Sequence, residues 1–182
     1  LASEFSVVRS EFERGENNPI GVLRQRMLSA AFQWHNYGKS TIGNRSDIER
    51  VPVDNLRAFY RKYYRPDNAM VIVAGKFEEA KALDYLQKYF GVLEKPKQPL
   101  PATYTVEPPQ DGERITMVRR VADIQAVGAV YHVPAGGDPE YPAIDLLAEV
   151  LTDEPSGRLY KSMIETKLAT GVFGSSEGLH DP

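Results

Sequence analysis

The run Ala69-Met70-Val71-Ile72-Val73-Ala74-Gly75 decides how this chain is read. It is too short for a helix and carries β-branched residues at its centre, which predicts a buried strand over 69–75. Upstream stands Phe59-Tyr60-Arg61-Lys62-Tyr63-Tyr64-Arg65-Pro66-Asp67-Asn68. Pro52 opens a helix that runs to about Tyr64 with Leu56, Phe59, Tyr60 and Tyr63 inward, and Pro66 ends it. Downstream, Ala82, Leu83, Leu86 and Phe90 form the stripe of a helix over 78–90. One strand between helices cannot pair its own backbone groups, so a partner strand is required.

Toward the N-terminus, Phe5, Val8 and Phe12 recur at helical spacing over 2–14, and Gly15, Asn17, Asn18 and Pro19 stop that helix. A second helix covers 20–33 with Ile20, Leu23, Met27, Ala30 and Ala31 on one stripe. Residues 35–46 are turn-rich, and Ser46 followed by Glu49 has the capping-box pattern that starts a short helical turn.

Toward the C-terminus the character changes. Pro96, Pro99, Pro101, Pro108 and Pro109 sit among Lys, Gln and Thr, which predicts an extended, semi-rigid linker over 93–113. Strands are expected at 114–121 and 124–133. A helix follows over 139–152 with Ile144, Leu147, Ala148 and Leu151 on one face, and another over 156–167 from Ser156. Neither half closes a sheet by itself. The expected class is therefore α+β, with repeats of antiparallel sheet flanked by helices: the C-terminal part of one repeat (1–92), a linker (93–113) and the N-terminal part of the next (114–182).

At 182 residues one or two domains fit. The formal charge of −3 argues against nucleic acid or an anionic membrane as the default partner. No apolar run approaches the roughly 18 residues of a membrane span. With no Cys there is neither a disulfide framework nor a thiolate metal site. That absence suits an exported, periplasmic chain and is equally allowed in a cytoplasm, so the compartment stays open. The chain opens at Leu1 without a charged-then-apolar leader, so any targeting segment is expected outside it.

The succession His35-Asn36-Tyr37-Gly38, Ile42-Gly43-Asn44, Asp47-Ile48-Glu49, then 59–68 and 70–75, preceded by Glu4 and Glu11, resembles the pitrilysin/insulinase family of zinc peptidases. Those enzymes carry the inverted motif H-x-x-E-H. The motif is absent here: His35, His132 and His180 each stand without a second His four residues away. Leu151-Thr152-Asp153-Glu154-Pro155-Ser156-Gly157-Arg158-Leu159-Tyr160 is similar to the family's Gly-rich turn followed by Ser-x-Arg-Leu-Phe, with Asp-Glu-Pro in place of the usual glycines. The resemblance is strong over 4–91 and weaker after 114. It implies peptidase-like tandem repeats and hydrolysis of peptide substrates by a zinc-activated water inside an enclosed chamber. The base and the histidine pair are expected upstream of this chain, so the chain alone is expected to be inactive.

Glu4 and Glu11 lie seven residues apart, so on a helix both carboxylates leave one face about 10 Å from each other. Spacing alone fits a solvated helix edge, since such pairs are common. Within the resemblance, Glu11 takes the position of the zinc ligand, and Glu4 that of the carboxylate which orients a ligand histidine. Zinc in a catalytic site takes three N/O protein ligands and keeps one position for water. His35 takes the position of the family's structural His-Pro-Tyr-Gly turn, with Asn36 replacing Pro. Its ring is expected to pack and donate to backbone, and His132 is expected to be a satisfied edge or core histidine.

Tyr60, Tyr63, Tyr64, Arg61 and Arg65 are expected to be core aromatics with arginines at the rim, in preference to a nucleic-acid surface. A rival reading is a non-catalytic scaffold or partner subunit of the same superfamily; retention of Glu4 and Glu11 favours the enzyme. The expected partners are peptide substrate, missing repeats or a partner half, and a homodimer that covers unpaired apolar edges.

Overall fold

The computed structural model describes residues 2–182. Among the described residues six helices follow in order: α1 (Ala2–Glu16), α2 (Pro19–Ala31), α3 (Arg45–Arg50), α4 (Val53–Tyr63), α5 (Glu79–Phe90) and α6 (Tyr141–Thr152). Single 3-10 turns occupy Asn36–Gly38 and Pro66–Asn68, and Tyr160–Ile164 form a wide turn. There the Glu165 N–H reaches back five residues to the Tyr160 carbonyl at 3.3 Å.

The break between α1 and α2 follows from local chemistry. The N–H of Asn17 bonds the Glu13 carbonyl at 3.2 Å and that of Asn18 bonds Gly15 at 3.0 Å, which closes the first helix. Pro19 then starts the second where its missing N–H costs nothing. The capping box expected at Ser46 does not form. Asn44 is the N-cap residue of α3, and Glu49 is drawn instead to the Arg45 guanidinium at 2.8 Å. An i,i+4 charged hydrogen bond outcompetes the reach back to the helix start.

The expected α+β architecture is overturned. Among the described residues there is no strand, so no antiparallel sheet forms. β-branched composition favours an extended path, but a ladder needs a second row of N–H and C=O groups about 4.8 Å away. The 69–75 segment finds none and is not buried: Met70 is 84% exposed and Ile72 79%. Residues 114–118 keep a strand-like alternation without a ladder, with Ile115 and Met117 outward and Arg114, Thr116 and Val118 half-buried. The stripe expected to face inward on α4 is also exposed. Its rings pair along the helix, Phe59 with Tyr63 and Tyr60 with Tyr64, each at 4.6 Å between centroids.

The chain divides into two compact units that do not follow chain order. One runs to Asn18 and resumes over Ser40–Thr105. In it α1 packs on α3, with Ile48 buried. Arg65 grips Asp67 through two hydrogen bonds of 2.6 and 2.7 Å and also donates to the Gln98 carbonyl.

The other unit joins Pro19–Lys39 to Val106–Pro182. Its buried residues include Val22, Ala31, Phe32 and His35, with Gly38 beside them. A Cβ at Gly38 would stand 1.9 Å from the Phe32 carbonyl oxygen, so only glycine fits that approach. The 174–181 segment is held by polar links: Tyr141 donates to Ser176, Ser176 to Asp145, and Arg24 pairs with Glu177.

Candidate functional site

Glu4 and Glu11 both lie on α1, within its first three turns, and both are exposed. Between them Ser6 and Ser10 turn their hydroxyls back onto the helix, donating to the Ser3 and Ser6 carbonyls at 2.7 and 2.9 Å. Those hydroxyls are thereby committed to the backbone. Glu11 borders a shallow surface hollow with Ser6, Val7, Ser10 and Arg14. Farther along the helix Arg9 pairs with Glu13 at 3.7 Å.

This donor set does not by itself fit a zinc ion. A catalytic zinc takes three protein ligands, usually with histidine nitrogen among them. Among the described residues no group of three or more His, Asp or Glu side chains gathers that could hold a metal. What α1 offers is carboxylate oxygen alone, presented to solvent.

A polar arrangement joins the end of α2 to His35, the residue that precedes the Asn36–Gly38 turn. The last carbonyls of a helix lack intrahelical donors. Here the Arg114 guanidinium donates to the Ala30 and Ala31 carbonyls at 2.7 and 3.0 Å, and His132 Nε2 sits 3.1 Å from the Ala31 oxygen. The Phe32 N–H still bonds the Leu28 carbonyl, and the three N–H groups after it, of Gln33, Trp34 and His35, converge on the Glu107 carboxylate at 2.8, 2.8 and 2.9 Å. Cation meets carbonyls and anion meets amides, so the α2 end is capped from residues far along the chain. Burial would raise the Glu107 pKa, but the amides of His35, Gln33 and Trp34 and the charge of Arg114 outweigh it and hold the carboxyl below its ordinary value.

The His35 ring is buried and committed on both nitrogens. Nδ1 accepts the Tyr37 N–H at 3.2 Å, so the ring caps the 3-10 turn as an acceptor, contrary to the expected donor role. Nε2 therefore carries the hydrogen and faces Asp181 Oδ2 at 3.3 Å. Hydrogen bonding from His180, with charge from both histidines, holds the Asp181 carboxyl below its ordinary value against slight desolvation. Phe32 packs edge-on against His132, with ring centroids 4.7 Å apart. His132, expected to be a satisfied edge or core histidine, is instead exposed and outside any strand, with Nε2 against the Ala31 carbonyl. Both nitrogens of the His35 ring are engaged within this cluster, so His35 builds the turn.

Sequence reasoning placed Glu107 and Arg114 in or beside a linker and assigned them no role. Their partners lie 72–74 and 83–84 residues away, so no local spacing signals them.

The profile of the peptidase M16 inactive domain matches residues 50–181, and the chain belongs to the peptidase M16 family. It is similar to the zinc protease PqqE of Helicobacter pylori, 31% identical over 171 residues that cover 92% of this chain and 38% of that protein. It is also similar to the uncharacterised zinc protease YmxG of Bacillus subtilis, 25% identical over all of this chain and 43% of that one. A crystal structure of a protease from Helicobacter pylori superposes with a TM-score of 0.86 at 29% identity, covering 99% of this chain and 44% of the other. The chain thus spans about two fifths of the length of these relatives. The pitrilysin/insulinase resemblance is thereby shown, and the H-x-x-E-H motif is absent from these 182 residues.

Proposed function

We propose that this chain is part of a zinc-dependent metalloendopeptidase that cleaves peptides or small unfolded proteins in an enclosed chamber, and that Glu11 supplies one carboxylate ligand to its metal. The observation that carries this reading is family membership together with Glu4 and Glu11 on one helix, in the order and spacing that the resemblance calls for. Glu4 would orient a ligand histidine. Bound zinc would polarise the peptide carbonyl and activate a water. Among the described residues the donors are too few to hold the ion unaided. In the longer protein a histidine pair and a general base would meet α1 from other segments.

One observation favours a second reading, a non-catalytic scaffold or partner subunit: the matched profile is that of the family's inactive domain. The two readings separate in a polypeptide carried to the length of the Helicobacter pylori relative. Zinc near one equivalent, with chelator-sensitive hydrolysis of an unstructured fluorogenic peptide, supports the enzyme. Absence of both supports the scaffold.

A further inference from the structure

The bridge between Glu107 and Arg114 reads Pro108-Pro109-Gln110-Asp111-Gly112-Glu113. Both of its ends are pinned to the terminus of α2. Glu107 takes the Gln33, Trp34 and His35 amides and Arg114 takes the Ala30 and Ala31 carbonyls, so five hydrogen bonds form a clasp. Two successive prolines fix φ on one side of the bridge. Its conformational freedom therefore lies in 110–113.

Asp111-Gly112 is the sole Asp-Gly pair in the sequence, and no Asn-Gly occurs. Both residues are exposed. Among the described residues no hydrogen bond or ion pair holds the Asp111 carboxylate or the Gly112 N–H. The Gln110 side chain donates to the Gly112 carbonyl at 2.6 Å, which closes a bend around Asp111. Glycine brings no side chain to shield its nitrogen, and a Cβ at Gly112 would meet nothing within 4 Å. Other aspartates are placed differently. Asp67 and Asp181 are held in ion pairs, and Asp47, Asp84 and Asp145 lie in helices whose ladders occupy the backbone.

We propose that Asp111 is a site of spontaneous isomerisation to isoaspartate, and that the change loosens the clasp. The Gly112 nitrogen attacks the carbon of the protonated Asp111 side-chain carboxyl. A C–N bond forms, and the carboxyl hydroxyl leaves as water with the amide proton. The ring closes between neighbouring residues, so proximity supplies what an enzyme would otherwise provide. Water then adds to the five-membered succinimide. Opening at the side-chain carbonyl restores aspartate. Opening at the former main-chain carbonyl leaves Gly112 linked through the side-chain carbon and frees a carboxylate on Cα. One water leaves and one returns, and the charge is unchanged. The main chain now runs through Cβ and is longer by one atom. With both ends anchored and the prolines fixed in φ, residues 110–113 cannot absorb that atom without moving Glu107 or Arg114 off its partners.

Gly112→Val is the control. Its side chain has room, and Gly112 does not sit at positive φ, so the fold is retained while the nitrogen is shielded. Both proteins would be stored for several weeks at neutral pH and body temperature. Isoaspartate is measured by enzymatic methyl transfer and placed by peptide fragmentation, and amide exchange is followed at 33–35. Wild type should accumulate several-fold more isoaspartate than Gly112→Val, with the excess at 111. Stored wild type should also exchange several-fold faster at 33–35 than fresh protein, while Gly112→Val stays protected. Equal isoaspartate in the two proteins, or isoaspartate spread over many positions, would overturn the site. Isoaspartate at 111 with protection at 33–35 unchanged would overturn the loosening of the clasp.

Discussion

The Glu107 carboxylate accepts the backbone N–H of His35 at 2.9 Å across 72 residues of sequence. With the amides of Gln33 and Trp34 beside it, one side chain terminates α2 and sets the turn that follows. Glu107→Ala should therefore destabilise the second unit by about 1–2 kcal/mol, the low end for a carboxylate with several amide donors, because water still reaches the group. Glu107→Gln should cost less, since a neutral carbonyl oxygen still accepts. Urea unfolding with amide exchange at residues 33–35 checks both; unchanged protection there in Glu107→Ala would show that the clasp is incidental.

Acid should release the same clasp. The folded-state pKa of Glu107 is lowered, so its contribution is complete above the ordinary glutamate value and is lost as pH falls through the depressed one. Glu49, Asp67 and Asp181 are shifted in the same direction and share the acid limb. The difference between wild type and Glu107→Gln isolates one group. Above pH 5 that difference should be constant, and below the ordinary glutamate range it should shrink. A gap that persists to pH 2.5 would contradict the assignment.

Much of the helical content was legible in the sequence. The Gly15–Pro19 break, the Ile20–Ala31 stripe and the helices ending near Phe90 and Thr152 follow from spacing and from breakers that act locally. The strands failed for a physical reason. Val71, Ile72 and Val73 favour an extended path, but a strand exists only when another backbone lies beside it, and no run of residues states whether one does. Aromatic spacing on α4 likewise promised burial that needs a covering surface. Glu11 was singled out by resemblance to a family, whereas Glu107 and Arg114 were missed because their partners are distant backbone groups without a side-chain signature.

His35 should behave as a structural residue. Its Nδ1 caps the turn at Tyr37, so His35→Ala should cost about 1 kcal/mol in the second unit, and His35→Asn, which keeps a side-chain acceptor, should cost less. Neither change should alter metal content in the extended polypeptide. Loss of zinc in His35→Asn, with folding intact, would place His35 at the metal and contradict the turn assignment.

The 182-residue chain should have no peptidase activity. Among the described residues no group of three or more His, Asp or Glu side chains could hold a metal, so a water there would be neither held nor activated. Incubation with zinc and an unstructured fluorogenic peptide checks this. Zinc-dependent turnover that survives repurification would show a site that the geometry does not contain.

Glu4 should matter to rate more than to metal. In the extended polypeptide, Glu4→Gln should keep most of its zinc and lose roughly 10–100-fold in turnover, the usual scale for a carboxylate that orients a ligand histidine. Full activity in Glu4→Gln would return that residue to the solvated edge of α1.

The most direct test is the zinc stoichiometry of Glu11→Gln in the polypeptide carried to the length of its Helicobacter pylori relative. Glu11 as a ligand predicts that the purified variant, folded by circular dichroism, falls from about one equivalent of zinc to well below half, with hydrolysis lost in step. Full zinc occupancy in Glu11→Gln would contradict the ligand assignment on which the proposed function rests.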